Sequence, residues 1–208
     1  MSHIPHPCAG TVRTLGLAAT LLLLAPLHAQ AHDATGKNAA PAVGSTYKRS
    51  ITTYAIPDVV LTDADEKPVR LRHLLASRDP VMVNFTFTTC STICPVMTRV
   101  FSEVPARLGS DARPLRMISI SIDPENDTPL QLKAYARSLK ATERWKFLTG
   151  PTQDIHSVLR AFDTYRGNKM NHEPVTLIRA ADGTSWVRID GFASPDELVS
   201  EYRRASML

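Results

Sequence analysis

The sequence predicts an α/β fold in which a central mixed sheet is flanked by helices. Residues 81–87 and 115–122 are apolar runs rich in β-branched side chains, as expected of strands buried on both faces. Segments of helical period alternate with these runs, which is the pattern of a helix-covered sheet. The chain closes on two more short apolar runs and a capped helix, so the sheet must also take an antiparallel pair.

Taken in order, residues 59–61 and 69–71 read as a short strand pair around the polar turn 63–67, an extra N-terminal β-hairpin. Residues 71–75, which include His73, read as a short helix beside the sheet. The run 81–87 is the first central strand, and 95–108 is a helix with Pro95 in its first turn. Residues 115–122 form the next strand, ending at Asp123-Pro124. Asp127-Thr128-Pro129 then opens a helix that runs to 139. Ile155, Val158, Leu159 and Phe162 recur at helical spacing and predict a helix over 152–163. Residues 175–179 and 186–189 flank Asp182-Gly183, a hairpin signal. Ser194-Pro195-Asp196-Glu197 is a capping box for a final helix. A pair of cysteines after the first central strand, with a closing hairpin and helix, points to a thioredoxin-like arrangement.

The first 31 residues read as a secretory signal. Arg13 is their only Lys or Arg, the apolar run spans 15–27, and Ala29-Gln30-Ala31 is a small-residue cleavage site. That run is shorter than the roughly 20 residues needed to cross a bilayer; an uncleaved anchor is the alternative. Residues 32–46 read as a flexible leader, and 47–208 as one folded domain. An exported chain works in the periplasm or at the extracytoplasmic face of the membrane, with membrane attachment only through an uncleaved signal. The mild net charge of +4 includes no basic cluster, which argues against a nucleic-acid partner.

The chain has three cysteines. Cys8 precedes the apolar run and falls in the segment to be removed, which leaves Cys90 and Cys94. In an oxidising compartment such a pair defaults to a disulfide, although a five-residue loop would stabilise the fold only modestly. Three intervening residues let both sulfurs face one side of a helical turn, so they can converge on an ion. Soft thiolates select Cu(I), zinc or iron–sulfur clusters. Cys94 stands directly before Pro95, so the helix N-terminus is expected to favour its thiolate. Among possible third ligands, His32 lies on the leader, His73 on the short helix and His156 toward solvent. His172 lies in the loop 168–173, which in a thioredoxin-like fold abuts the sulfur pair.

The segment Phe85-Thr86-Phe87-Thr88-Thr89-Cys90-Ser91-Thr92-Ile93-Cys94-Pro95 resembles the Cys-x-x-x-Cys-Pro motif of the Sco/SenC family of thioredoxin-like copper proteins. Ser119 to Pro129, with Asp123-Pro124-Glu125-Asn126-Asp127, is similar to that family's strand-and-turn motif, and His172 matches its distant histidine. The resemblance implies that Cys90, Cys94 and His172 bind Cu(I) or Cu(II). It also implies copper delivery to, or thiol reduction of, the dinuclear copper centre of cytochrome c oxidase. The implied partners are the oxidase's copper-bearing subunit or another copper chaperone, together with a thiol reductant. Asn126 and Glu173-Pro174 depart from the family pattern, and Pro174 resembles the cis-proline of thioredoxins. That feature favours the alternative of a thiol–disulfide oxidoreductase, with Cys90 and Cys94 as the redox pair; a copper or redox sensor is a third reading. Asp123 and Asp127 are expected to serve the turn and the helix cap, and could steer the site from there. Met170 is expected to fill space rather than bind metal.

Overall fold

The computed structural model describes residues 47–112, 114–181 and 183–207. The signal segment with Cys8, the leader with His32, and Asp182 of the expected hairpin turn lie outside the described residues.

One eight-stranded sheet organises the described residues. In chain order its strands are β1 (Tyr47–Thr52), β2 (Val60–Asp63), β3 (Pro68–Arg70), β4 (Val81–Thr86), β5 (Arg116–Ser121), β6 (Trp145–Thr149), β7 (Val175–Arg179) and β8 (Trp186–Gly191). Across the sheet they run β1-β8-β7-β4-β5-β6-β2-β3. Strands β4, β5 and β6 are mutually parallel, while every other pairing is antiparallel. The helices are α1 (Leu71–Leu75), α2 (Ile93–Leu108), α3 (Pro129–Ser138), α4 (Thr152–Ala161) and α5 (Pro195–Ala205). This is the thioredoxin-like α/β arrangement anticipated from the sequence.

Each face of the sheet carries its own core. Val81, Val83 and Phe85 of β4 pack with Leu71, Leu75, Ile155, Val158 and Phe162 on one side. Met82 points to the other side, with Phe101, Val104, Leu132, Leu198 and Tyr202. The alternation along β4 is that of a strand buried on both faces. Asn84 and Thr86 share the face of Met82 and are buried there as well. Ser119 Oγ donates to Asn84 Oδ1 at 2.6 Å and accepts Trp145 Nε1 at 2.9 Å, a polar rung across β4, β5 and β6.

Two strands lie outside the sequence reading. Strand β6 bridges the parallel core and the β2–β3 hairpin. Strand β1 pairs with β8 and precedes that hairpin, so the hairpin is not the first element of the domain. Charged groups fasten β1 to α5. Tyr47 Oη donates to Glu201 Oε1 at 3.0 Å, and Arg49 Nε donates to Oε2 at 2.6 Å. The predicted capping box is present: Ser194 Oγ accepts Glu197 N–H at 3.3 Å, and Glu197 Oε2 accepts Ser194 N–H at 2.7 Å. Pro174 is not a cis-proline, because no cis peptide occurs among the described residues.

Candidate functional site

Three segments meet where β4 and β5 end and β7 begins: the cysteine loop 87–94, the turn 123–127, and the loop 168–174. Register explains the meeting. Strand β5 lies beside β4 in parallel, so both C-terminal ends face the same edge. Strand β7 runs antiparallel to β4, so the loop that enters it arrives at that edge too.

Helix α2 begins at Ile93, two residues earlier than expected, and this decides which sulfur is which. Cys94 therefore lies inside the first turn rather than capping it. Its backbone N–H donates to Cys90 Sγ at 3.4 Å, so the Cys90 sulfur takes the acceptor position at the helix start. Thr92 Oγ1 lies 3.7 Å from the same sulfur, while Thr92 itself makes no side-chain cap. Burial pushes the Cys90 thiol up. The hydrogen bonds from the Cys94 side chain and from the backbone and hydroxyl donors around it outweigh burial and hold it below the ordinary range. Cys94 behaves in the opposite way. It is 1% exposed, and burial, then the neighbouring Cys90 sulfur, push its thiol up to about 12. The expectation of a Cys94 thiolate is corrected: the helix N-terminus serves Cys90. Both cysteines are free thiols.

His172 closes a short 3-10 turn, Lys169–Asn171, and is buried. Its Nε2 lies 3.2 Å from the Phe85 carbonyl. A carbonyl can only accept, so Nε2 carries the hydrogen and Nδ1 of the neutral ring keeps its lone pair. Burial lowers the imidazole's proton affinity, and the Phe85 carbonyl only partly opposes this. Asn168 Oδ1 accepts Met170 N–H at 2.8 Å and shapes the turn, while Met170 itself is largely exposed. His172 also lines a cleft of about 310 Å³ with Ile122, Asp123, His156, Tyr165 and Lys169. His156, read from sequence as solvent-facing, is half-buried there with its ring 4.9 Å from that of Tyr165. Among the described residues, no three His, Cys, Asp or Glu side chains lie close enough together to hold a metal ion. The structure pairs the two sulfurs and brings the His172 loop to the same edge, without gathering all three donors.

Of the two acids, only Asp127 departs from its expected role. Thr128, not Asp127, caps α3, in a capping box with Gln131. Asp127 is fully buried and ties loops together. Its Oδ1 accepts the Thr88 N–H at 3.1 Å and the Thr88 hydroxyl at 2.5 Å, and its Oδ2 accepts the Ser121 hydroxyl at 2.6 Å. Asp123 does shape its turn: its carbonyl accepts Asp127 N–H at 2.8 Å, and both carboxylate oxygens lie 3.0 Å from Asn126 Nδ2. It also pairs with Lys169. Lys169 is a site residue that sequence reasoning missed, for no local pattern links it to a carboxylate 46 positions earlier.

A family model described as SCO1/SenC matches residues 52–206 of the chain. The chain belongs to the SCO1/SenC family. This SCO1/SenC chain is 34% identical over 177 residues to the SCO1 protein homolog of Bacillus subtilis, covering 80% of the chain and 91% of that protein. Among solved structures it is similar to BsSco, a member of the Sco family of cytochrome c oxidase assembly proteins in which a disulfide switch was identified. That match has 28% identity and a TM-score of 0.64, and covers 76% of this chain and 97% of the other. It is also similar to Bradyrhizobium japonicum ScoI with copper bound, at 27% identity and a TM-score of 0.58, covering 73% and 99% of the two chains.

Proposed function

We propose that this SCO1/SenC chain carries copper as cargo on Cys90 and Cys94, with His172 as third donor, and delivers it to the dinuclear copper centre of cytochrome c oxidase. The observation that carries this reading is the pair of free thiols meeting at the start of α2, with Cys94 N–H on Cys90 Sγ at 3.4 Å. Two soft sulfurs and a neutral imidazole form a donor set suited to copper. The hydrogen bond from His172 Nε2 to Phe85 O supports it, since a ligating histidine commonly gives its other N–H to a carbonyl. Similarity to a copper-bound ScoI and to an oxidase assembly protein supports the cargo and its destination. The partner is the copper-bearing oxidase subunit or another copper chaperone, met in the periplasm or at the extracytoplasmic face. Cu(I) titration of the reduced protein tests the site. Cys90→Ala and Cys94→Ala should each abolish tight binding, and His172→Ala should weaken it about 10- to 100-fold; unchanged affinity in all three variants rejects the reading.

The unequal thiols favour a second activity on the same residues, thiol–disulfide exchange. The half-buried Cys90 thiolate attacks one sulfur of a partner disulfide and expels the other as a thiol, forming a mixed disulfide. Cys94 then loses its proton, attacks Cys90 Sγ and releases the partner's second thiol. The partner gains two electrons, this chain keeps a Cys90–Cys94 disulfide, and an external thiol reductant restores the dithiol. Copper uptake requires both sulfurs reduced, so the two activities exclude each other at any instant. Cys94→Ala should trap the mixed disulfide at Cys90; trapping at neither cysteine removes this second activity.

A further inference from the structure

Lys169 reaches from the loop that carries His172 across to the turn after β5 and the Phe87 ring. It opens the 3-10 turn that His172 closes, and its carbonyl accepts the His172 N–H at 3.1 Å. Its ammonium pairs with Asp123 Oδ2 and stands 5.6 Å from the centre of the Phe87 ring. The Phe87 carbonyl in turn accepts the Cys90 N–H at 3.2 Å. One side chain therefore links the histidine loop to the cysteine loop.

Its anchor is rigid. Asp123 is 5% exposed, and Asn126 Nδ2 holds both of its oxygens. The Asp123 N–H donates to Ser121 Oγ at 3.0 Å, and Ser121 donates to Asp127, which grips Thr88 two residues before Cys90. The two carboxylates of one turn thus hold the two halves of the site. Asp127 holds the sulfur side, and Asp123 holds the imidazole side through Lys169. An exposed lysine–carboxylate pair contributes little, but here one partner is nearly dry and the cation also lies over an aromatic face.

We propose that Lys169 is the positioning residue for His172, locking the loop 168–173 to the Asp123 turn so that the imidazole keeps a fixed approach to the sulfur pair. The copper consequence rests on the reading above; the placement of the ring does not.

The experiment separates these. In reduced, metal-free protein, nitrogen-15 NMR follows the His172 Nε2–H held by Phe85 O. Lys169→Met should speed its exchange with water about tenfold, and Lys169→Arg should restore it. Anaerobic titration should show Cu(I) and Cu(II) affinities both about tenfold weaker in Lys169→Met. In a His172→Ala background the Lys169→Met effect on Cu(II) should vanish. An unchanged ring signal in Lys169→Met overturns the proposal. So does an equal loss of Cu(II) affinity with and without His172. If His172→Ala leaves copper affinity untouched, the three-donor copper site fails, while the ring signal still decides the role of Lys169.

Discussion

Removing the Asp127 carboxylate should destabilise the protein by about 3–4 kcal/mol and loosen the cysteine loop. The carboxylate is fully buried and accepts from the Thr88 N–H, the Thr88 hydroxyl and the Ser121 hydroxyl. Hydrogen bonds to a charged group contribute roughly 1.5–3 kcal/mol each, and a buried donor left without a partner costs about 1–3. Thr88 is only half-buried, so water replaces part of what it loses. Ser121 is fully buried and has no such recourse. Counting about 2 kcal/mol for Ser121 and 1–2 for the Thr88 pair gives the stated total. Asp127→Asn should cost less, about 1–2 kcal/mol, because one acceptor remains while its new NH2 faces Ser121 Oγ, which already accepts Asp123 N–H. Urea unfolding of Asp127→Ala and Asp127→Asn measures both costs, and iodoacetamide labelling of Cys90 reports the loop. A loss below about 1 kcal/mol in Asp127→Ala, with unchanged Cys90 labelling, would refute the idea that this carboxylate pins the sulfur loop.

In the reduced protein at neutral pH, iodoacetamide should label Cys90 at least about tenfold faster than Cys94, because only the thiolate attacks and only Cys90 is both accessible and held low. Peptide mass spectrometry reads the order, and faster labelling of Cys94 contradicts the assignment. Glu201→Ala should cost about 3–5 kcal/mol in urea, since it leaves the mostly buried Arg49 guanidinium unpaired; a loss under about 1 kcal/mol would show that β1 does not depend on that carboxylate. Tyr47 is raised from 10.0 to about 12, first by burial and then by its hydrogen bond to Glu201. A raised folded value means that this contribution is whole below pH 10 and is lost as pH climbs toward about 12. Tyr47→Phe should therefore flatten that part of the alkaline decline in urea midpoint, and an identical decline in parent and variant would exclude it.

What the sequence made legible was local. The capping box at Ser194 needs only four consecutive residues, and the central strands announce themselves by apolar runs. Strand β1 hides because Lys48, Arg49 and Ser50 break its apolar pattern; among the described residues it pairs only with β8, and its anchor Glu201 lies 152 residues beyond Arg49. Strand β6 is five residues long and carries Lys146 at its second position, too brief a signal to separate from a loop. The sulfur assignment failed on a two-residue boundary. With the helix starting at 95, Cys94 would cap it; with the start at Ile93, Cys94 becomes a donor whose side chain turns into the core. The cap fell on Thr128 rather than Asp127 for the same reason, since one residue separates a cap from a buried loop tie. Lys169 could not have been found, because its ion pair exists only once β4, β5 and β7 are aligned.

That alignment also explains why the reactive groups gather at one end of the sheet. At the starts of β4 and β5, Asp79 accepts Arg116 Nε at 2.7 Å and Arg144 Nη2 at 2.9 Å, while Arg179 donates to the carbonyls of Ser77 and Asp79. Those groups pair off among themselves and fix the strand order. At the C-terminal ends of parallel strands the backbone must turn away into loops, and reactive side chains can stand there without interrupting the sheet. Here the loop after β4 carries the sulfurs, the turn after β5 carries the two carboxylates, and the loop into β7 carries the imidazole. Neighbouring strands bring together groups that are far apart in the chain, and Asp123 and Asp127 then set how those groups face one another. The sheet supplies proximity, and the carboxylates supply orientation; the proposed alternation between holding an ion and closing a disulfide needs the second as much as the first.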